Sequence, residues 1–116
     1  MIIADMDATD PAKPTINKTL TTTNEIDIYM HVGDFAYDIF DSNGYVGDNF
    51  FSMLSPSYSK KPYIITPGNH ERQDATKFFN YRFRMPGGND NITTRNNYYS
   101  FKIKDTYFLS INQDFW

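Results

Sequence analysis

The 116-residue chain has no cysteine, only two histidines, one tryptophan and no long apolar run. Without cysteine there is no disulfide framework, no Cys-zinc site and no thiol nucleophile. No apolar stretch approaches the ~20 residues that a membrane-spanning helix needs, so no membrane partner is expected. Lys and Arg total 11 against 14 Asp and Glu, a formal net charge of −3. With no cationic excess to neutralise phosphates, a nucleic-acid partner is not expected. Asp5 and Asp7 interrupt the only N-terminal apolar stretch, so no signal peptide is visible in this chain. The length suits one small domain at most. What is present, 40% hydrophobic and 17% aromatic residues, is enough for a folded core.

Short apolar runs alternate with turn signals. Met1–Ala4 reads as a short buried strand, and residues 5–15, with Asp7, Asp10, Pro11 and Pro14, as a loop. Ile16–Asn24 reads as a helix despite the Thr run at 21–23. Ile26–Val32 is a β-rich run that stops at Gly33-Asp34, and Phe35–Gly47 is loop-like. Phe50, Phe51, Met53 and Leu54 have helical spacing, with an expected end before Pro56. Tyr63–Thr66 is a strand that ends in Pro67-Gly68-Asn69, and Asp74–Phe83 a helix with Asp74 as its N-cap. A Gly/Asn-rich loop over 87–97 precedes a hairpin, Tyr98–Ile103 and Thr106–Ile111, turning at Lys104-Asp105.

This alternation predicts an α/β sheet followed by a hairpin. In such sheets ligands bind beyond the C-terminal strand ends. Three strand ends carry oxygen or amide donors: Asp5, Asp34 and Asn69. Asp34 and Asn69 place a carboxylate and an amide at two strand ends, with His70 beside the second. Hard donors of this kind suit divalent or trivalent metals. His31 alternates with Met30 and Val32, so it reads as a core or supporting histidine rather than a ligand.

Gly33-Asp34-Phe35-Ala36-Tyr37-Asp38 resembles the GDxxY block of purple acid phosphatases, and Gly68-Asn69-His70-Glu71 the GNHE block of their metallophosphoesterase superfamily. Residues 61–67, 81–86 and 97–101 share the family's look, so the resemblance covers nearly the whole chain. It implies a metallophosphoesterase-type β-sandwich flanked by helices (α/β/β/α), with residues 1–116 as its first half. It implies acid phosphatase activity on phosphate monoesters by a metal-bound hydroxide. The cofactor would be a binuclear centre, Fe³⁺ plus Fe²⁺, Zn²⁺ or Mn²⁺. In its terms Asp5 and Tyr37 ligate the ferric ion, Asp34 bridges, and Asn69 ligates the divalent ion. His70 would face the phosphate or leaving group, and Asp38 and Glu71 would support the site loops. In the first block Ala4 and Asp7 stand where the family usually has Gly.

The family completes its metals with later histidines, and this chain has none after His70. The expectation is therefore a part of a catalytic domain, inactive and marginally stable alone, that needs the rest of the domain to complete its site. A non-catalytic remnant is the alternative from another class. A rival enzyme reading takes Asp5-x-Asp7-x-Thr9 as similar to the first motif of haloacid-dehalogenase-type phosphatases, with Asp5 as nucleophile and Asp7 as acid/base. The sequons Asn17-Lys18-Thr19 and Asn91-Ile92-Thr93 fit a glycoprotein in the family's secretory or lysosomal/vacuolar setting. Phe78, Phe79, Tyr81 and Phe83 read as core, and Arg72, Arg82 and Arg84 largely as a solvated face.

Overall fold

The structure is a computed structural model that describes residues 1–72 and 76–113. The expected N-cap Asp74 lies outside the described residues. In chain order the elements are β1 (Ile2–Ile3), α1 (Lys13–Thr21), β2 (Tyr29–Val32), α2 (Tyr45–Tyr58), β3 (Tyr63–Thr66), α3 (Lys77–Arg82), β4 (Tyr98–Ile103) and β5 (Thr106–Ile111). Strands β1, β2 and β3 form a parallel sheet in that order, with Ile3 opposite His31 and His31 opposite Ile65. Strands β4 and β5 form an antiparallel hairpin with Phe101 opposite Phe108. No helix among the described residues is long and apolar enough to cross a membrane.

Strand alternation assigns the two faces of the parallel sheet. Tyr29 and His31 point to the helices: Tyr29 packs on Tyr58 of α2, and His31 lies 4.0 Å from the Phe35 ring and 6.1 Å from Phe50, centroid to centroid. Met30, Val32, Ile64 and Thr66 instead meet Tyr99, Phe101, Phe108 and Ser110 of the hairpin across a cavity of about 250 Å³. The Tyr99 hydroxyl donates to the Ile65 carbonyl, and the Thr66 and Ser110 hydroxyls bond to one another. The layers are therefore helices, sheet, hairpin. The hairpin's far face leaves Tyr107 and Leu109 exposed.

Three expectations shift. Helix α1 begins at Lys13, three residues before Ile16, because Pro14 sits in its first turn, where a missing N–H is harmless. It ends at Thr21, and a 3-10 turn takes Thr23–Glu25; the hydroxyls of Thr19, Thr21, Thr22 and Thr23 all bond back to carbonyls of the preceding turn. Helix α2 runs through Pro56 to Tyr58 rather than stopping before it. Pro56 removes the bond to the Ser52 carbonyl, but Ser52 is exposed and water can replace it. In α3, Phe79 is fully buried as expected, whereas Tyr81 points outward with 68% of its surface exposed.

Candidate metal centre

The first two loops are joined edge to edge where strands β1 and β2 end. Asp5 N donates to the Gly33 carbonyl at 3.1 Å, Met6 N to Asp34 O at 3.1 Å, and Ala36 N to Met6 O at 2.9 Å. Met6 is buried in the core, which anchors the residue after Asp5. Asp5, Asp34 and Tyr37 all adopt positive φ, at 51°, 54° and 37°. Each such non-glycine residue costs on the order of 1 kcal/mol or more, a strain concentrated at functional sites.

The third loop follows β3 and is brought close by two glycines. A Cβ on Gly33 would stand 2.7 Å from Gly68 Cα, and a Cβ on Gly68 would stand 2.2 Å from Asp34 Oδ1. Both positions therefore need glycine. The buried Glu71 carboxylate then locks the two loops together. It accepts from Asp34 N at 2.9 Å, Phe35 N at 2.9 Å and Gly68 N at 2.8 Å. Burial raises the Glu71 pKa, and these three donors oppose that by favouring the anion. His70 N donates to Asp34 Oδ1 at 3.2 Å.

Asp5, Asp34 and Asn69 consequently line one open cavity of about 290 Å³, together with Asn112 and Gln113 at the end of β5. The Tyr37 hydroxyl reaches the same place and donates to Asp5 Oδ1 at 3.2 Å. Desolvation, then that hydrogen bond and the nearby carboxylates of Asp5, Asp34 and Asp7, push the Tyr37 pKa up to about 12. A cation shared by these groups would reverse the electrostatic part of that shift. The His70 ring packs edge-on against Tyr37 at 4.5 Å between centroids, and its Nδ1 bonds to the Asp38 carboxylate. That bond favours the imidazolium and raises the His70 pKa, although burial opposes it.

The donor set fits hard metal ions: two carboxylates, a phenol and an amide oxygen, all of the type that Fe³⁺ and borderline divalent ions accept. Among the described residues no three His, Cys, Asp or Glu side chains group closely enough to hold a cation alone, so a cation at this place would draw on Tyr37 and Asn69 as well. Among the described residues no Lys or Arg lines the cavity. Arg82 is committed elsewhere, to Asp48 at 2.6 Å and to the carbonyls of Gly44 and Phe78, while Arg84 bonds to Asp90.

His31 is not part of this cluster. It sits in the core, 1% exposed, with Nδ1 2.8 Å from the Tyr63 hydroxyl. The Asp7 carboxylate turns into its own loop, accepting from Ala8 N and the Thr9 hydroxyl. Asn112 and Gln113 were not anticipated. They too follow a strand end, but the hairpin gives no sequence signal of which sheet edge it will approach.

The parallel sheet, its helices and the hairpin form the fold of a metallophosphoesterase. The sequence profile of the calcineurin-like phosphoesterase family matches residues 1–114, and the chain belongs to that family. Its relatives include acid phosphatases, purple acid phosphatases and a protein named "Nucleotide pyrophosphatase/phosphodiesterase" of Hordeum vulgare. It is 32% identical over 114 residues to "Acid phosphatase type 7" of Mus musculus, covering 97% of this chain and 25% of that protein. It is 28% identical to "Purple acid phosphatase 22" of Arabidopsis thaliana, covering 95% of this chain and 26% of that one. The solved purple acid phosphatase from yellow lupin (Lupinus luteus) seeds superposes with a TM-score of 0.73 over 93% of this chain and 23% of its own, at 23% identity. The chain thus spans about a quarter of the length of these relatives. Membership in this family overturns the haloacid-dehalogenase reading.

Proposed function

We propose that this chain carries the oxygen-and-amide half of a binuclear metal site in an acid phosphatase that hydrolyses phosphate monoesters. The observation that carries the reading is the convergence of Asp5, Asp34 and Asn69 on one cavity, with the Tyr37 hydroxyl on Asp5. Asp5 and Tyr37 would hold Fe³⁺, Asp34 would bridge, and Asn69 would hold Fe²⁺, Zn²⁺ or Mn²⁺. When bound, such a pair supplies positive charge to the attacking and leaving oxygens and lowers the pKa of water. With no Lys or Arg among the described residues that line it, the cavity's described lining fixes no side-chain cation against a phosphate dianion, which is in keeping with a metal-based charge balance.

The protein groups do the positioning. Glu71 holds the second and third loops at a fixed separation through its three backbone donors. His70 Nδ1 donates to the Asp38 carboxylate, which orients the ring and favours the imidazolium, in which Nε2 also carries a proton. From there His70 would donate to the phosphate or the leaving oxygen. Histidine donors to complete the metals would come from the remainder of the catalytic domain, since His31 is in the core and His70 is bonded to Asp38.

The test is to titrate the chain with Fe³⁺ and Zn²⁺ and to follow metal content and the visible spectrum. A phenolate-to-iron band that disappears in Tyr37→Phe is expected. Absence of that band in the iron-loaded parent chain would refute the assignment of Tyr37. In the same preparation, release of phosphate from an aryl phosphate is expected to be negligible. Turnover comparable to a complete family member would refute the half-site reading. The second reading, a non-catalytic remnant, is favoured by the count of two histidines. It requires that neither the band nor stoichiometric metal binding appears.

A further inference from the structure

The fold treats the two sequons differently. Asn17-Lys18-Thr19 lies inside α1. Side chains two positions apart on a helix do not face each other, so the Asn17 amide and the Thr19 hydroxyl cannot meet one reagent. Asn17 is exposed, but Thr19 is buried, and its hydroxyl donates to the Thr15 carbonyl at 2.9 Å. Asn91-Ile92-Thr93 lies in the loop between α3 and β4, with Asn91 and Thr93 both exposed. There Asn91 Oδ1 accepts from Thr93 N at 3.0 Å and from the Thr93 hydroxyl at 2.8 Å. This turn brings amide and hydroxyl to one side and leaves Asn91 Nδ2 without a hydrogen-bond partner among the described residues. The turn is closed locally: Asn89 Oδ1 accepts from Asn91 N, and the Asn91 carbonyl accepts from Arg95 N, each at 2.9 Å.

We infer that Asn91 is a modification site, the N-glycan acceptor of this chain, and that Asn17 is not. The co-reactant is an oligosaccharide carried on a lipid pyrophosphate. Asn91 Nδ2 bonds to the anomeric carbon of the first sugar while the bond from that carbon to the pyrophosphate oxygen breaks. The lipid pyrophosphate leaves with the electron pair, and one Nδ2 proton passes to a base of the transferase. The exposed Thr93 hydroxyl can exchange Asn91 Oδ1 for the transferase at the protein surface. The Thr19 hydroxyl would first have to leave its buried place on the helix. A bulky polar substituent on Asn91 meets solvent, since the residue lies outside the core. Among the described residues none of 87–97 lines the cavity of Asp5, Asp34 and Asn69, so the inference stands apart from the phosphatase reading.

The experiment directs the full chain, behind a cleavable signal peptide, through the secretory pathway of a eukaryotic cell. The chain recovered from cells and medium is treated with peptide N-glycosidase, which converts a glycosylated Asn to Asp, and the masses of its peptides are measured. Occupancy at Asn91 is expected to exceed that at Asn17 at least about tenfold. Asn91→Gln and Thr93→Ala should each abolish the glycan, Thr93→Ser should retain part of it, and Asn17→Gln should leave it unchanged. All three positions are exposed, so these variants leave the core intact. An unmodified parent chain, equal occupancy at the two sequons, or a glycan kept in Thr93→Ala would overturn the inference.

Discussion

Acidification should destabilise this fold through one side chain, His31. Burial holds its pKa down to about 3, from an ordinary value of 6.5. Its surroundings are Phe35, Phe50 and the Tyr63 hydroxyl, and its Nε2 has no hydrogen-bond partner among the described residues. The unfolded chain therefore takes up a proton below about pH 6.5 while the folded chain does not. Stability is intact above that value and falls as the pH drops toward about 3. Each unit of that gap is worth about 1.4 kcal/mol, so the loss is about 2 kcal/mol at pH 5 and approaches about 5 kcal/mol near pH 3. Two groups act in the opposite direction: the raised pKa values of His70 and Glu71 make protonation favour the folded state. The measurement must therefore be a difference. Urea unfolding of the parent and of His31→Gln, which keeps a bond to Tyr63 within reach but does not titrate, would be compared at pH 7.5 and pH 5. The parent should lose about 2 kcal/mol more than the variant between the two conditions. Parallel losses, differing by less than about 0.5 kcal/mol, would show that the core accepts the proton and would refute the argument.

Other consequences are equally direct. Glu71→Gln replaces one acceptor oxygen by an NH₂ group facing backbone donors, and should cost about 2–4 kcal/mol in urea unfolding; a cost below about 0.5 kcal/mol would deny the clamp. Gly68→Ala puts a methyl group 2.2 Å from Asp34 Oδ1, so Zn²⁺ affinity by calorimetry should fall at least about tenfold. An unchanged affinity would mean that Asp34 takes no part. Arg82→Met removes the bonds to Gly44, Phe78 and Asp48, and should lower stability by about 1–2 kcal/mol without altering phosphate affinity. A selective loss of phosphate binding would instead place Arg82 in the site.

Much of the site was legible as pattern because strand ends and turn chemistry are local. Asp34 and Asn69 follow β-rich runs and carry glycines beside them, and the structure shows both glycines at contacts that exclude a Cβ. The hairpin was equally legible, since its two strands and the turn at Lys104-Asp105 depend on neighbouring residues alone. Helix ends were less so. Pro56 lies inside α2 because a carbonyl left without its donor is tolerable on an exposed helix face, and exposure is a tertiary property.

The sequence by itself determined the order of elements, the alternation that sends His31 inward, and the oxygen and amide side chains at three strand ends. Those follow from the period of the strand and from the conformational needs of glycine and proline. Only the tertiary structure decided that Glu71 bonds to Asp34 and Phe35, 37 and 36 residues away, that Asp7 folds back on Thr9, and that Asn112 and Gln113 line the same cavity as Asp34. The reason is that these depend on how the hairpin and the β3 loop dock on the first two strands. Docking is set by packing and by hydrogen bonds between segments distant in sequence, which no local pattern encodes.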